Sequence, residues 1–164
     1  MNTEAIAPVR TFESVPEGEA IPPVVWGPIA EPHLMRWSAS IENWHRIHYD
    51  APFATGHDGL PALLVNGSLK QHLIVQALRG WIGPSGWLWH LAFRFHGMDV
   101  VRDTLTFTGT VVERREYERF GVAAAEVQLS NQRGEVNTTG TARLALPYAD
   151  GPAVPYPFPQ GVPW

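Results

Sequence analysis

The order of hydrophobic patterns constrains the fold of this chain most, because one helical pattern is followed by four strand patterns. From Ser68 to Trp81, apolar residues recur at the i, i+4 spacing of one helical face. Asn66 or Ser68 can cap the start of this helix, and Gly83-Pro84 ends it. Apolar and polar residues then alternate with a period of two over 87–95, 104–111, 123–130 and 136–146.

Strands that follow one another through short connections must be mostly antiparallel, and Arg133-Gly134 is typical of a hairpin turn. A lone amphipathic helix needs a surface against which to bury its apolar face. The sequence therefore predicts an α+β domain in which an antiparallel sheet wraps around one long central helix.

Proline-rich segments flank this pattern. Residues 1–32 contain many prolines and predict an extended N-terminal arm, because proline fixes φ and cannot donate to a strand ladder. Residues 149–164 alternate proline with aromatic residues and predict a strap that lies on the domain surface. The apolar run at 34–37 predicts a short strand, so the domain is expected to span residues 33–148.

Composition excludes several classes of protein. The 164 residues are 45% hydrophobic and 17% charged, which is typical of a globular domain. The net charge of −4 argues against a nucleic-acid partner, and the absence of cysteine excludes disulfides, cysteine metal sites and a catalytic thiol. With no signal peptide or long apolar stretch in the sequence, we expect a soluble cytoplasmic protein without a membrane partner.

The segment 43–50 contains the chemistry-bearing cluster: two imidazoles, an amide and a carboxylate within eight residues. Imidazole moves protons near neutral pH, so this cluster is typical of a catalytic site. His45 is expected to be a structural or pocket-wall residue, whereas Asp50 is expected to cap a helix or pair with Arg46. His45 and His48 form a His-x-x-His pair, but no third ligand is evident and no metal is predicted.

Several motifs, together with the order of elements, resemble the MaoC-like hydratase/dehydratase family of the hot-dog fold. They are Val15-Pro16-Glu17-Gly18, Ile47-His48-Tyr49-Asp50, Val65-Asn66-Gly67-Ser68-Leu69, Phe93-Arg94 and Asp103-Thr104-Leu105. The string 43–50 is most similar to a branch that includes 3-hydroxyacyl-thioester dehydratases and methylfumaryl-CoA hydratases. Three positions depart from the family pattern: Asn43 replaces the wider family's Asp, Asn66 replaces the branch's His, and Arg102 replaces a common Gly.

The resemblance implies hydration of a 2-enoyl-CoA or acyl carrier protein thioester, or the reverse dehydration. His48 would be the base, while Asn43 would orient the water or fix the His48 tautomer. Backbone N–H groups near Gly67 and Ser68 would hold the thioester oxygen. Further substrate contacts would come from Asn66, Arg46 and Asp50.

The resemblance also implies a dimer, either homomeric or formed with another hot-dog subunit, and no cofactor beyond the coenzyme A of the substrate. Two alternatives to the hydratase remain. The Asn43 and Asn66 departures would suit a non-catalytic acyl-binding subunit. A hot-dog thioesterase usually needs a carboxylate on the central helix, and 67–81 contains neither Asp nor Glu.

Overall fold

The computed structural model describes residues 9–157, which form one antiparallel sheet and two α-helices. The sheet has five strands in the order β1-β3-β4-β5-β2. The elements are β1 (Ala20–Trp26), α1 (Glu31–Ser40), α2 (Gly67–Ile82), β2 (Trp87–Phe95), β3 (Leu105–Glu116), β4 (Gly121–Asn131) and β5 (Val136–Leu146). Short turns of helix lie at Phe12–Ser14, Arg46–His48 and Phe53–His57.

The predicted central helix is confirmed as α2, which extends one residue beyond the predicted range at each end. Its buried face packs on β3, β4 and β5 through Ile74, Ala77, Leu78, Trp81 and Ile82. Gly83 ends the helix with φ near +71°, a left-handed conformation that favours glycine.

The predicted side-chain cap at the start of α2 is wrong. Asn66 occupies the N-cap position, but its side chain makes no capping hydrogen bond. Ser68 Oγ instead accepts a hydrogen bond from Trp37 Nε1 at 2.9 Å. Both side chains bind residues of α1, Trp37 and Ser38, instead of the N–H groups of the first helical turn.

The four predicted strands are confirmed as β2 to β5. The turn at 131–135 joins β4 to β5, with Gly134 at φ near +79° and its N–H donating to Asn131 O at 3.0 Å.

The short strand predicted at 34–37 is wrong, because this segment lies within α1. Pro32 stands at the start of that helix, where its missing N–H costs nothing. Leu34 and Ser38, four residues apart, are both buried, whereas Met35 is 45% exposed. A run of only three apolar residues cannot distinguish a helical from a strand period.

Within the described part of the Pro-rich N-terminal segment, residues Ala20–Trp26 are extended and contribute a strand to the sheet. β1 pairs with β3, and the register shifts between Ile21 and Val24, where Pro22 and Pro23 lie. An edge strand with an irregularity tolerates proline, because the missing N–H is not needed by a second neighbour.

The C-terminal segment lies along the domain as far as the structure describes it. Val154 is buried beside Phe120, and the ring of Tyr156 stacks on Trp87 with centroids 5.4 Å apart. The remaining aromatic residues of the predicted strap, Phe158 and Trp164, lie outside the described residues. Within 9–157, no helix has the length and apolar character needed to cross a membrane.

Candidate active site

His48 lies at the end of the helical turn Arg46–His48 and is only 7% exposed. Its Nδ1 lies 2.8 Å from the carbonyl oxygen of Leu64. A carbonyl can only accept, so Nδ1 carries the proton and Nε2 presents a lone pair. Burial lowers the pKa of His48, the Leu64 hydrogen bond opposes this, and nearby His45 lowers it further. The ring is therefore held neutral, in the tautomer that leaves Nε2 free to accept a proton.

The segment before α2 connects His48 to the helix start. Leu64 N–H donates to Ile47 O at 3.0 Å, and Val65 N–H donates to Asp99 O at 2.8 Å. Leu64 also forms an isolated antiparallel bridge with Val100. Because Leu64 is only two residues from Asn66, these contacts bring the imidazole and the N-terminus of α2 into one region.

The start of α2 offers unpaired backbone donors. The first N–H groups of an α-helix have no partner within the helix and carry a partial positive charge. At Gly67 the space beside the backbone is filled by the Phe95 ring, since an added Cβ would lie 2.8 Å from Phe95 Cε2. A side chain at this position would crowd both that ring and the approach to the helix N-terminus.

Asn66 is 1% exposed, and its Nδ2 donates to Ser38 Oγ at 3.2 Å. Its Oδ1 is buried without a hydrogen-bond partner among residues 9–157. A buried amide oxygen is costly to leave unpaired, so this atom is a ready acceptor for a donor that enters the site.

A buried ion pair lies beneath the helix start and was missed by sequence reasoning. Lys70 is polar and lies on α2, yet it is only 3% exposed, and its Nζ lies 2.8 Å from Asp99 Oδ2. Asn137 Nδ2 donates to Asp99 Oδ1 at 2.8 Å, and Lys70 Nζ lies 4.7 Å from the centroid of the Phe95 ring. These contacts fix the loop after β2 to α2. The lysine gave no signal in the sequence, because its partner is 29 residues away.

Arg46 and Asp50 form the local pair that the sequence predicted. Arg46 Nη2 and Nε donate to Asp50 Oδ2 at 2.7 and 2.9 Å. Asp50 Oδ1 accepts from Phe53 N–H at 3.1 Å, so this carboxylate also caps the turn that follows. The hydrogen bond from Arg46 lowers the pKa of Asp50. Their roles as substrate contacts remain predictions.

Asn43 and His45 are both used to build the turn that carries His48. Asn43 Oδ1 accepts from His45 N–H at 3.1 Å, and His45 Nδ1 accepts from Ile47 N–H at 3.5 Å. The His48 tautomer is thus fixed by Leu64, not by Asn43. The sequence could not show this, because a backbone carbonyl has no signature in residue identity.

Comparison with known proteins identifies the family of this chain. Residues 16–98, just over half of the chain, match the model of the hydroxyacyl-thioester dehydratase type 2 family. A 52-residue stretch is 42% identical to mesaconyl-C(4)-CoA hydratase of Chloroflexus aurantiacus. That alignment covers 31% of this chain and only 19% of the relative's length.

Two solved structures share the fold. The unliganded (R)-hydratase PhaJ1 of Pseudomonas aeruginosa superposes with a TM-score of 0.76 at 21% identity, covering 84% of this chain and 86% of that one. The ChsH1–ChsH2 complex of Mycobacterium tuberculosis gives a TM-score of 0.70 at 20% identity, covering 79% of this chain and 97% of that one. The chain therefore has the hot-dog fold of MaoC-like hydratases and belongs to the hydroxyacyl-thioester dehydratase type 2 family, a family of lyase-type enzymes.

Proposed function

We propose that this protein adds water to a 2-enoyl thioester to give the 3-hydroxyacyl thioester, or catalyses the reverse dehydration. The observation that carries the proposal is the His48 imidazole. It is buried and neutral, its Nδ1–H is held by Leu64, and it is connected through residues 64–66 to the start of α2. A base with a free Nε2 beside a helix N-terminus provides both groups that the reaction needs.

In the hydration direction, the water oxygen bonds to C3 of the enoyl group while one water proton passes to His48 Nε2. The electron pair of the C2–C3 double bond moves toward the thioester, and the N–H groups of Gly67 and Ser68 stabilise the resulting enolate oxygen. One well-placed donor of this kind contributes about 3 kcal/mol. His48 then returns its proton to C2, which restores the neutral imidazole and completes the addition of one water molecule.

The substrate is proposed to be a coenzyme A or acyl carrier protein thioester, and no cofactor beyond the substrate's own coenzyme A is required. Arg46 would meet a phosphate of the carrier. Its side chain is 56% exposed while paired with Asp50, so the guanidinium remains accessible to an anion from solvent.

The protein is proposed to act as a dimer, either with a second copy or with another hot-dog subunit. Among the described residues, β2 pairs with β5 on one side only, so its other edge can receive a strand. Trp87 and Phe95, at the two ends of β2, are 43% and 44% exposed. One chain of the ChsH1–ChsH2 complex superposes on this chain, and that structure is a complex of two named proteins, which supports pairing with a different subunit.

Purified protein incubated with crotonyl-CoA and with longer or aromatic enoyl-CoAs tests the reaction. Loss of the enoyl absorbance without release of free thiol is the expected result. Release of thiol would instead indicate a thioesterase, and no reaction with any of these substrates would favour a non-catalytic acyl-binding subunit.

The role of His48 is tested by His48→Ala, which removes the base. We expect kcat to fall by about 10²- to 10⁴-fold, the usual contribution of a general base, with the fold retained by circular dichroism. His33→Ala is the matched control, because His33 is an exposed histidine at the start of α1. Full activity in the His48→Ala protein would contradict the mechanism.

A further inference from the structure

We propose that His45 is a positioning residue that holds the attacking water against His48. This inference rests on the proposed hydration and adds a second side chain to it. Asn43 stands where the wider family has a carboxylate beside its histidine. The sequence therefore does not show which side chain assists His48.

The two imidazoles are held in complementary tautomers. His48 Nδ1 donates to the carbonyl of Leu64, which leaves the lone pair on Nε2. His45 Nδ1 accepts from the N–H of Ile47, so in the neutral ring the proton lies on Nε2. One Nε2 is therefore an acceptor and the other a donor.

The separation of the rings suits one intervening water. Their centroids are 6.2 Å apart with an interplanar angle of 59°, too far for a direct hydrogen bond between ring nitrogens. Two hydrogen bonds of about 2.9 Å each can bridge the gap between the ring edges. The water would accept from His45 Nε2–H and donate to His48 Nε2.

This arrangement matches the chemistry of the addition. One lone pair of the water is bound by His45, one hydrogen points to the base, and the second lone pair is left to attack C3. The proton moves from water to His48 and then to C2, while His45 keeps its own proton throughout. Asn43 Oδ1 accepts from the His45 N–H at 3.1 Å, so this amide helps to hold the turn that carries His45.

The surroundings of the two rings differ in a way that suits these roles. His48 is 7% exposed, whereas His45 is exposed, so His45 is the member of the pair that contacts solvent. The charged neighbours on the same turn, Arg46 and Asp50, are paired with each other at 2.7 Å. Because these two charged groups bind each other, neither requires the His45 ring as a partner.

Two variants of His45 separate the proposed role from its structural role as a cap. Asn is among the best N-cap residues and can accept the Ile47 N–H, but its amide does not extend as far as Nε2. Gln is a poor N-cap, yet its side-chain NH₂ can occupy the place of the Nε2 donor. The proposal therefore predicts that His45→Asn is the more stable of the two variants and His45→Gln the more active.

With crotonyl-CoA, we expect His45→Asn to lower kcat by about 10²-fold, the usual cost of a misplaced reactant, while KM and the melting temperature hardly change. His45→Gln should keep kcat within about tenfold of wild type, although it melts at a lower temperature, because the cap is lost while the water-binding donor remains. His33→Asn is the matched control. His33 Nδ1 also accepts a local backbone N–H, that of Ala30 at 3.0 Å, and this variant should retain full kcat.

The reverse order overturns the proposal: if His45→Asn keeps the wild-type kcat and His45→Gln loses activity along with stability, His45 is only a cap. Failure of the proposed function gives a different result. If the proposed hydration is wrong, the wild-type protein does not hydrate any enoyl-CoA and His48→Ala changes nothing, and the inference about His45 is then wrong as well.

Discussion

His48 is prepared for proton transfer by a backbone carbonyl and by burial rather than by a charged side chain. An adjacent carboxylate would favour the protonated imidazolium, whereas burial favours the neutral ring. Here the larger effect is burial, and the pKa of His48 is lowered although the Leu64 hydrogen bond acts against it. This is the state that a base needs, because a neutral Nε2 can accept the proton of water at physiological pH.

The pH dependence of hydration follows from this shift. Protonated His48 cannot act as a base, so kcat/KM should fall at low pH with a midpoint below 6.5, the ordinary value for histidine. The measurement is kcat/KM for crotonyl-CoA between about pH 4.5 and 8, within the range where histidine titrates. An acidic limb centred above 6.5 would show that a different group, or a histidine with a raised pKa, controls the reaction.

The same pKa shift affects folding with a defined sign. Between the lowered folded pKa and 6.5, the unfolded chain binds the proton of His48 more readily than the folded protein does. This contribution to stability is therefore present above pH 6.5 and is lost as the pH falls through the folded value. Catalysis and folding should both weaken as the solution becomes acidic, for the same physical reason.

At the residue scale, sequence reasoning identified the chemical groups but not their partners. The pairing of Arg46 with Asp50 was predictable, because a separation of four residues brings two side chains together over one helical turn. The contact between His48 and Leu64 spans 16 residues and involves a main-chain atom. Such a contact depends on how the chain folds back and has no local signal.

Among the elements, the start of α2 is the feature on which the proposed oxyanion site depends. Gly67 has no side chain there, so the Phe95 ring packs against its backbone, and Lys70 Nζ lies over that ring. The Lys70–Asp99 pair is buried, and removing either partner of such a pair typically destabilises a protein by about 3–5 kcal/mol, because the remaining charge is left unpaired. The loop after β2 is thus fixed to the same turn that presents the N–H donors.

Two glycine substitutions on α2 test whether the absence of a side chain at Gly67 is needed for activity. In Gly67→Ala the new Cβ would lie 2.8 Å from Phe95 Cε2 and would crowd the helix N-terminus. We expect kcat/KM to drop at least tenfold, approaching the loss of one oxyanion donor, which is about 10²-fold. Thermal unfolding checks that the domain remains folded, since the half-exposed Phe95 ring can turn aside.

Gly80→Ala is the matched control on the same helix, because nothing lies within 4 Å of a Cβ added at that position. Replacing glycine by alanine within a helix should stabilise the protein by about 1 kcal/mol, and activity should be unchanged. If Gly67→Ala is as active as Gly80→Ala, the N–H groups near Gly67 do not hold the thioester oxygen.

Element prediction succeeded where the hydrophobic period was long and failed where it was short. The 16 residues of α2 and the 9 to 12 residues of β2 to β5 repeat their pattern several times. Residues 34–37 do not, so the sequence predicts a strand where the structure has α1. The sequence does not predict β1, because Pro22 and Pro23 interrupt its strand pattern. These prolines are tolerated because they lie at an irregularity in an edge strand.

For the whole molecule, the sheet order determines which surfaces are left to pair. β3, β4 and β5 are each hydrogen-bonded on both sides, while β1 and β2 form the two edges of the sheet. The prolines of β1 make it a poor template for another strand. β2 contains no proline and exposes aromatic side chains at both ends, so it is the edge expected to meet a second hot-dog subunit.

A pair of lysine substitutions tests this edge. Ala92 is exposed on β2 and pairs with Thr141, an exposed residue of the inner strand β5. Lysine on an edge strand opposes pairing with another sheet, because its charge must be desolvated as the edges meet. We expect Ala92→Lys to shift the proposed dimer toward monomer in light scattering, whereas Thr141→Lys should leave it intact. A wild-type protein that is monomeric by itself, and dimeric only after co-expression with another hot-dog subunit, would select the heteromeric form of the proposal. A dimer unaffected by Ala92→Lys would place the contact on a different surface.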